Sequence, residues 1–144
     1  MKIALVLALL AASPVAADID YQALAGECRR YAADPQITAA LAQDLQAAYL
    51  IESLTRETQK TLAAAADLRS GAAATRKHEG IRQLMLLTND PVMVAAAGAS
   101  PRVSAEAMEA EAIRLDEVAR GQVVQLVSYY RAIQTAIARD GGTR

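Results

Sequence analysis

The run at residues 35–69, PQITAALAQDLQAAYLIESLTRETQKTLAAAADLR, contains no glycine, and no proline after its first residue. Within it and just past it, Ile51, Leu54, Thr58, Thr61, Ala65, Leu68 and Ala72 alternate by three and four residues, the spacing of one helix face. A seam of this kind belongs to coiled coils, and its small members let a neighbouring helix approach closely. Ile37, Leu41, Leu45 and Ala48 form a stripe on another face, so the pattern predicts one long helix with two neighbours. Asp34 can accept hydrogen bonds from the unpaired N–H groups of the first turn. Pro35 fits that turn because its missing N–H would have no partner there.

Reading outward, residues 18–33 form a short helix with Leu24, Cys28 and Tyr31 on one face. Downstream, Ser70-Gly71 and Gly80 are possible breaks. After them Ile81, Leu84, Met85 and Leu87 make a very apolar helical segment ending near Thr88. Asn89-Asp90-Pro91 repeats the cap-plus-proline signal, and a short apolar helix runs from Pro91 until Gly98 stops it. Ser100-Pro101 signals a last long helix reaching about Arg139, with Met108, Ala112, Leu115, Ala119, Leu126, Tyr129 and Ile133 in its seam. Gln122 is its polar interruption, and Asp140-Gly141-Gly142 ends it. No segment alternates with period two, so the expectation is all-α. The architecture expected is an antiparallel helical bundle built on two long helices with two shorter ones.

Composition agrees with helix. The 144 residues are 53% hydrophobic and rich in alanine, with no Trp and no Phe. Fifteen basic against 16 acidic side chains leave a net charge of −1, which speaks against nucleic acid as a partner. One His and one Cys exclude a zinc site of Cys and His ligands within one chain, and any internal disulfide.

The leading segment reads as an address. Lys2 precedes an uncharged apolar stretch at residues 3–12, Ser13-Pro14 breaks it, and Val15-Ala16-Ala17 puts small residues before a cleavage point. Cleavage is expected after Ala17, leaving residues 18–144 as one helical-bundle domain that is periplasmic or secreted. The apolar stretch is shorter than the roughly 20 residues that span a bilayer, so no stable membrane insertion of the mature chain is expected. Leu24-Ala25-Gly26-Glu27-Cys28 approaches a lipidation signal, but Glu27 stands before the cysteine and the motif lies far from the apolar stretch.

Few residues suggest chemistry. His78 lies in Arg76-Lys77-His78-Glu79, a charged surface stretch, and lacks a positioned partner for general base work. Cys28 can be buried, can form an intermolecular disulfide, or can stay a free thiol; no motif links it to the single His. Glu106, Glu109, Glu111, Asp116 and Glu117 crowd the first half of the last helix, where negative charge offsets the macrodipole. No calcium loop, Glu-x-x-His, phosphate loop or haem-attachment motif occurs in the sequence, so neither an enzyme nor a cofactor is expected. Two features point to contact with another protein. Tyr129 and Tyr130 project about 100° apart on the last helix, so one can pack inward while the other lies near the surface. Val92, Met93 and Val94 sit in an apolar connection that must cover the core or face a partner.

Residues 104–115, SAEAMEAEAIRL, precede a long Gln-containing helix and resemble the returning arm of minor pilus subunits of type IV secretion and conjugation systems. That resemblance is compositional, covers about a third of the chain, and carries no functional residues across. It implies an exported protein with a long helical hairpin and a small appendage. Together these readings lead us to expect a non-enzymatic exported protein acting through protein–protein interaction, as a subunit or accessory of a cell-envelope assembly. Self-association and a small apolar-ligand carrier are the alternatives.

Overall fold

A computed structural model of the chain describes residues 20–98 and 103–142. The leading segment with its expected cleavage point, and the Ser100-Pro101 signal, lie outside the described residues. Among the described residues the chain is helical, without strands: α1 (Tyr21–Ala32), α2 (Pro35–Gln43), α3 (Leu45–Leu87), α4 (Pro91–Ala97) and α5 (Ala105–Gly142). Two of these are long, with 43 residues in α3 and 38 in α5. No described helix is long and apolar enough to cross a membrane.

The helix ends follow local chemistry. Asp34 accepts a hydrogen bond from the Gln36 N–H at 2.8 Å, and Pro35 opens α2 as expected. The Asp90 carboxylate does the same for the Val92 N–H at 2.9 Å, with Pro91 opening α4. Just before it, Asn89 takes φ 53°, the left-handed conformation that asparagine tolerates better than most residues and that ends a helix. At α5 the cap is Ser104, whose hydroxyl accepts from the Ala107 N–H at 3.1 Å.

Two expectations are corrected, the continuity of the helix over residues 35–69 and the number of shorter helices. The helix expected over residues 35–69 is interrupted at Asp44, so there are three shorter helices and not two. Asp44 leaves helical geometry at φ −125° and ψ 87°. Its side chain accepts from the Ala47 N–H at 3.0 Å, so it caps α3 while closing α2. A short acidic side chain competes with the helical backbone for its N–H groups, and here the cap wins. Of the possible breaks, neither Ser70-Gly71 nor Gly80 interrupts α3, and α5 ends within Asp140-Gly141-Gly142, at Gly142. A helical glycine costs about 1 kcal/mol against alanine, which favourable neighbours can offset. Nothing lies within 4 Å of where a Gly80 Cβ would stand. Gly80→Ala is therefore expected to raise the unfolding free energy by about 0.5–1 kcal/mol, measured by urea titration at unchanged m-value.

The described residues gather into two compact units. The first, described over residues 20–60 and 118–142, holds the larger side chains: Ile37, Ile51, Leu126, Tyr130 and Ile133 form its buried cluster with Ala40. Cys28, Tyr31, Leu41, Leu54, Tyr129 and Ile137 pack against it. In the second, residues 61–117, the buried hydrophobic residues among those described are all alanine: Ala65, Ala72, Ala97, Ala105 and Ala112. There a Cβ on Gly71 would stand 3.3 Å from the Met108 sulfur, a close approach of α3 and α5. Arg69 pairs with Asp116 and Arg76 with Glu109 between the same two helices. Buried positions recur every seven residues on each long helix. On α3 they are Ile51, Thr58, Ala65 and Ala72; on α5 they are Ala105, Ala112, Ala119, Leu126 and Ile133.

Candidate functional site

The apolar side chains left in water concentrate in the second unit, around the junction of α3 and α4. In the last turn of α3, Leu84, Leu86 and Leu87 are exposed, Leu87 to 78%. At 100° per residue these three project in different directions, so the helix end has no polar face. Val92, Met93 and Val94 on α4 are exposed as well, Val92 to 75%. Between them stands a short polar apex. The Thr88 hydroxyl donates to the Met85 carbonyl at 2.7 Å, Asn89 makes the turn, and Asp90 caps α4. From residue 83 to residue 98, Asp90 is the single charged side chain. Scattered exposed apolar residues are ordinary on a protein surface; here six of them flank one turn.

Val92, Met93 and Val94 are contact candidates from the sequence alone; Leu84 and Leu87 are read there only as members of a very apolar helical segment, and Leu86 is not singled out. The available signal was their adjacency. Consecutive leucines cannot share one face, so some had to remain outside unless the helix was covered all round.

The tyrosine pair belongs to the first unit. Tyr130 is 6% exposed and stacks on Tyr31, ring centroids 5.6 Å apart. Tyr129 is half-buried, and its hydroxyl accepts from Gln125 Nε2 at 2.8 Å. Tyr130 also lines an open groove of about 430 Å³, with Leu41, Ala48 and Ile51 as further apolar walls and the Glu52–Arg56 ion pair among its lining residues. Nearby on α3, Leu45 is 80% and Tyr49 70% exposed. From the sequence Leu45 belongs to a stripe assigned to packing, and Tyr49 is not singled out.

Cys28 is half-buried beside this cluster, and burial, followed by the neighbouring Glu27 charge, pushes its thiol pKa up. That disfavours the thiolate, the nucleophilic form. Glu27 accepts from Arg131 Nε at 2.8 Å and Nη2 at 2.9 Å, and from the Tyr31 hydroxyl at 2.7 Å. The Arg131 bonds first, then the Tyr31 bond, hold the carboxyl below the usual glutamate range. A depressed folded pKa supports the fold at neutral pH, and that support is lost as pH falls from about 5 through the folded value. Arg131→Met should therefore flatten the fall in melting temperature between about pH 5 and pH 3, followed by circular dichroism.

Three members of the acidic group of α5 are engaged in ion pairs. Glu109 meets Arg76, Asp116 meets Arg69, and Glu111 meets Arg114 at 2.6 Å. His78 lines a second open groove of about 380 Å³ with Ala74, Thr75, Lys77 and Ile81. Among the described residues, no group of three or more His, Cys, Asp or Glu could hold a metal ion. No family model, curated protein or solved structure matches the chain.

Proposed function

We propose that the chain is an exported, non-enzymatic helical protein of the cell envelope that acts by binding another protein through the apolar end at Leu84–Leu87 and Val92–Val94. The observation that carries this reading is the exposure of six aliphatic side chains around one turn. Burying each fully is worth about 1.5–3 kcal/mol, and a partner would supply that burial. Export rests on the layout of residues 1–17, a charged start, a short apolar stretch and a small-residue cleavage point.

The architecture we infer over residues 18–144 is a single antiparallel helical bundle with coiled-coil-like seams. Support comes from the order of the ion pairs: as α3 advances from Arg69 to Arg76, its partners on α5 retreat from Asp116 to Glu109. A long helical pair of this kind is also what the resemblance to minor pilus subunits implies. An apolar-ligand carrier would need an enclosed cavity, whereas the two hollows described above are open grooves.

The test is a tagged capture from the protein's own cell envelope, run in parallel with Leu87→Glu. A stoichiometric partner held by the parent and lost by the variant is expected. Equal recovery by both, or bait alone from both, would overturn the reading.

A further inference from the structure

Among the described helices, α1 alone has no fully buried side chain. By contrast α2 buries Ile37 and Ala40, α4 buries Ala97, and both long helices bury several. Cys28 and Tyr31 reach the apolar cluster of the first unit only as partly buried neighbours. What holds α1 to α5 is therefore a small set of polar and aromatic contacts. Tyr31 stacks on Tyr130 with ring centroids 5.6 Å apart, and the Arg120 guanidinium stands 5.0 Å from the Tyr21 ring centroid. Arg131 Nε and Nη2 donate to the two Glu27 carboxylate oxygens at 2.8 and 2.9 Å, a bidentate pair. The same carboxylate accepts from the Tyr31 hydroxyl at 2.7 Å, so Glu27 secures both the ion pair and the stacked ring.

The junction with α2 is built to separate. Asp20 caps α1 by accepting from the N–H groups of Gln22 and Ala23, while Asp34 caps α2 by accepting from Gln36. Pro35 has no N–H, so the helical hydrogen bonding does not run on from one helix into the next. The Asp34 N–H closes α1 on the Tyr31 carbonyl at 3.1 Å, and the Thr38 N–H opens α2 on the Asp34 carbonyl at 3.0 Å. With α1 gone, α2 keeps its cap and its first bond. A helix of 12 residues is too short to persist alone in water, so α1 melts once it leaves α5.

We propose that α1 is a releasable strap, latched to α5 by the Glu27–Arg131 pair, which opens as one unit while α2 and the first-unit parts of α3 and α5 stay folded. Release bares the Tyr130 ring, which is 6% exposed under α1, beside the open groove that this ring lines with Leu41 and Ile51. The strap lies in the first unit and needs nothing from the apolar end at Leu84–Leu87.

The experiment is residue-resolved amide exchange of the intact protein in rising, sub-denaturing urea. Amides 24–32 are expected to share one opening, at least about tenfold more frequent than that of amides 126–133. Its urea dependence should be weak, because opening one short helix exposes little surface. Glu27→Gln and Arg131→Met should each speed exchange in α1 about fivefold, the scale of a partly exposed ion pair. The double exchange of Glu27→Arg with Arg131→Glu should restore most of the lost protection. Unchanged helical circular dichroism confirms folding of each variant. Exchange in α1 at the rate and urea dependence of amides 126–133 would make it part of the global unit and overturn the proposal. So would a parent whose α1 amides are unprotected, or a gradient of fraying inward from Tyr21 in place of one shared opening. Single variants that leave α1 exchange unchanged, or a double exchange no better protected than they are, would remove the latch.

Discussion

Replacing Ile133 by Ala is expected to lower the unfolding free energy by about 2–5 kcal/mol, the largest effect of any single change considered for this chain. Ile133 is fully buried in the cluster that joins α2, α3 and α5 in the first unit, with Ile37, Ile51, Leu126 and Tyr130 around it. Truncation removes three carbon atoms from contact with these neighbours. The penalty has two parts, the lost transfer free energy and the cavity left where rigid helices cannot close in. Ile113 is the matched control. It lies on the same helix but stands in water, and Ile113→Ala should change stability by less than about 0.5 kcal/mol. Chemical denaturation of both variants decides it; equal losses at the two positions would show that the cluster around Ile133 is not the core.

The second large effect has the opposite sign of volume. Ala72→Leu is expected to cost about 1–3 kcal/mol by overpacking, while Ala73→Leu, one residue along and exposed, should be near neutral. Ala72 is fully buried where α3 and α5 come close enough for a Gly71 Cβ to meet the Met108 sulfur at 3.3 Å. A leucine there must push the helices apart, and the ion pairs Arg69–Asp116 and Arg76–Glu109 flank that contact. Those side chains are a quarter to a half exposed, so solvent screens the pairs and they add little stability of their own. A core of alanines also removes less apolar surface from water than one of isoleucine, leucine and tyrosine. Amide exchange should accordingly be faster at Ala65 and Ala112 than at Ile51 and Ile133.

Much of this is legible in the amino-acid sequence, and the reasons differ residue by residue. The caps at Asp34 and Asp90 were legible because a short carboxylate followed by proline settles the matter within three or four residues. The seam from Ile51 to Ala72 was legible because a three-four alternation has one sensible reading over six turns, and all seven of its members are buried or half-buried. Asp44 was harder. Its local cap and the continuing helix compete at nearly equal free energy, and spacing alone carries no sign of which prevails. The glycines were ambiguous for the same reason, since about 1 kcal/mol at Gly71 or Gly80 can be outweighed by the helix around it. Of the contact candidates, Val92, Met93 and Val94 proved exposed, whereas Tyr130 went into the core against Tyr31. Composition could not separate them, because a tyrosine suits either place.

By itself, then, the amino-acid order determined the helical content, the capped helix starts at Pro35 and Pro91, and the seam each long helix buries. These depend on backbone propensity, capping and periodicity, all satisfied within a few residues of each position. Only the tertiary structure decided that Leu84, Leu86 and Leu87 stay in water, that Tyr130 closes a groove with Leu41 and Ile51, and that Arg76 finds Glu109. Exposure and pairing depend on what distant parts of the chain bring to a surface. A leucine at the end of a helix is core or contact according to whether another helix reaches far enough to cover it, and here none of the described helices does.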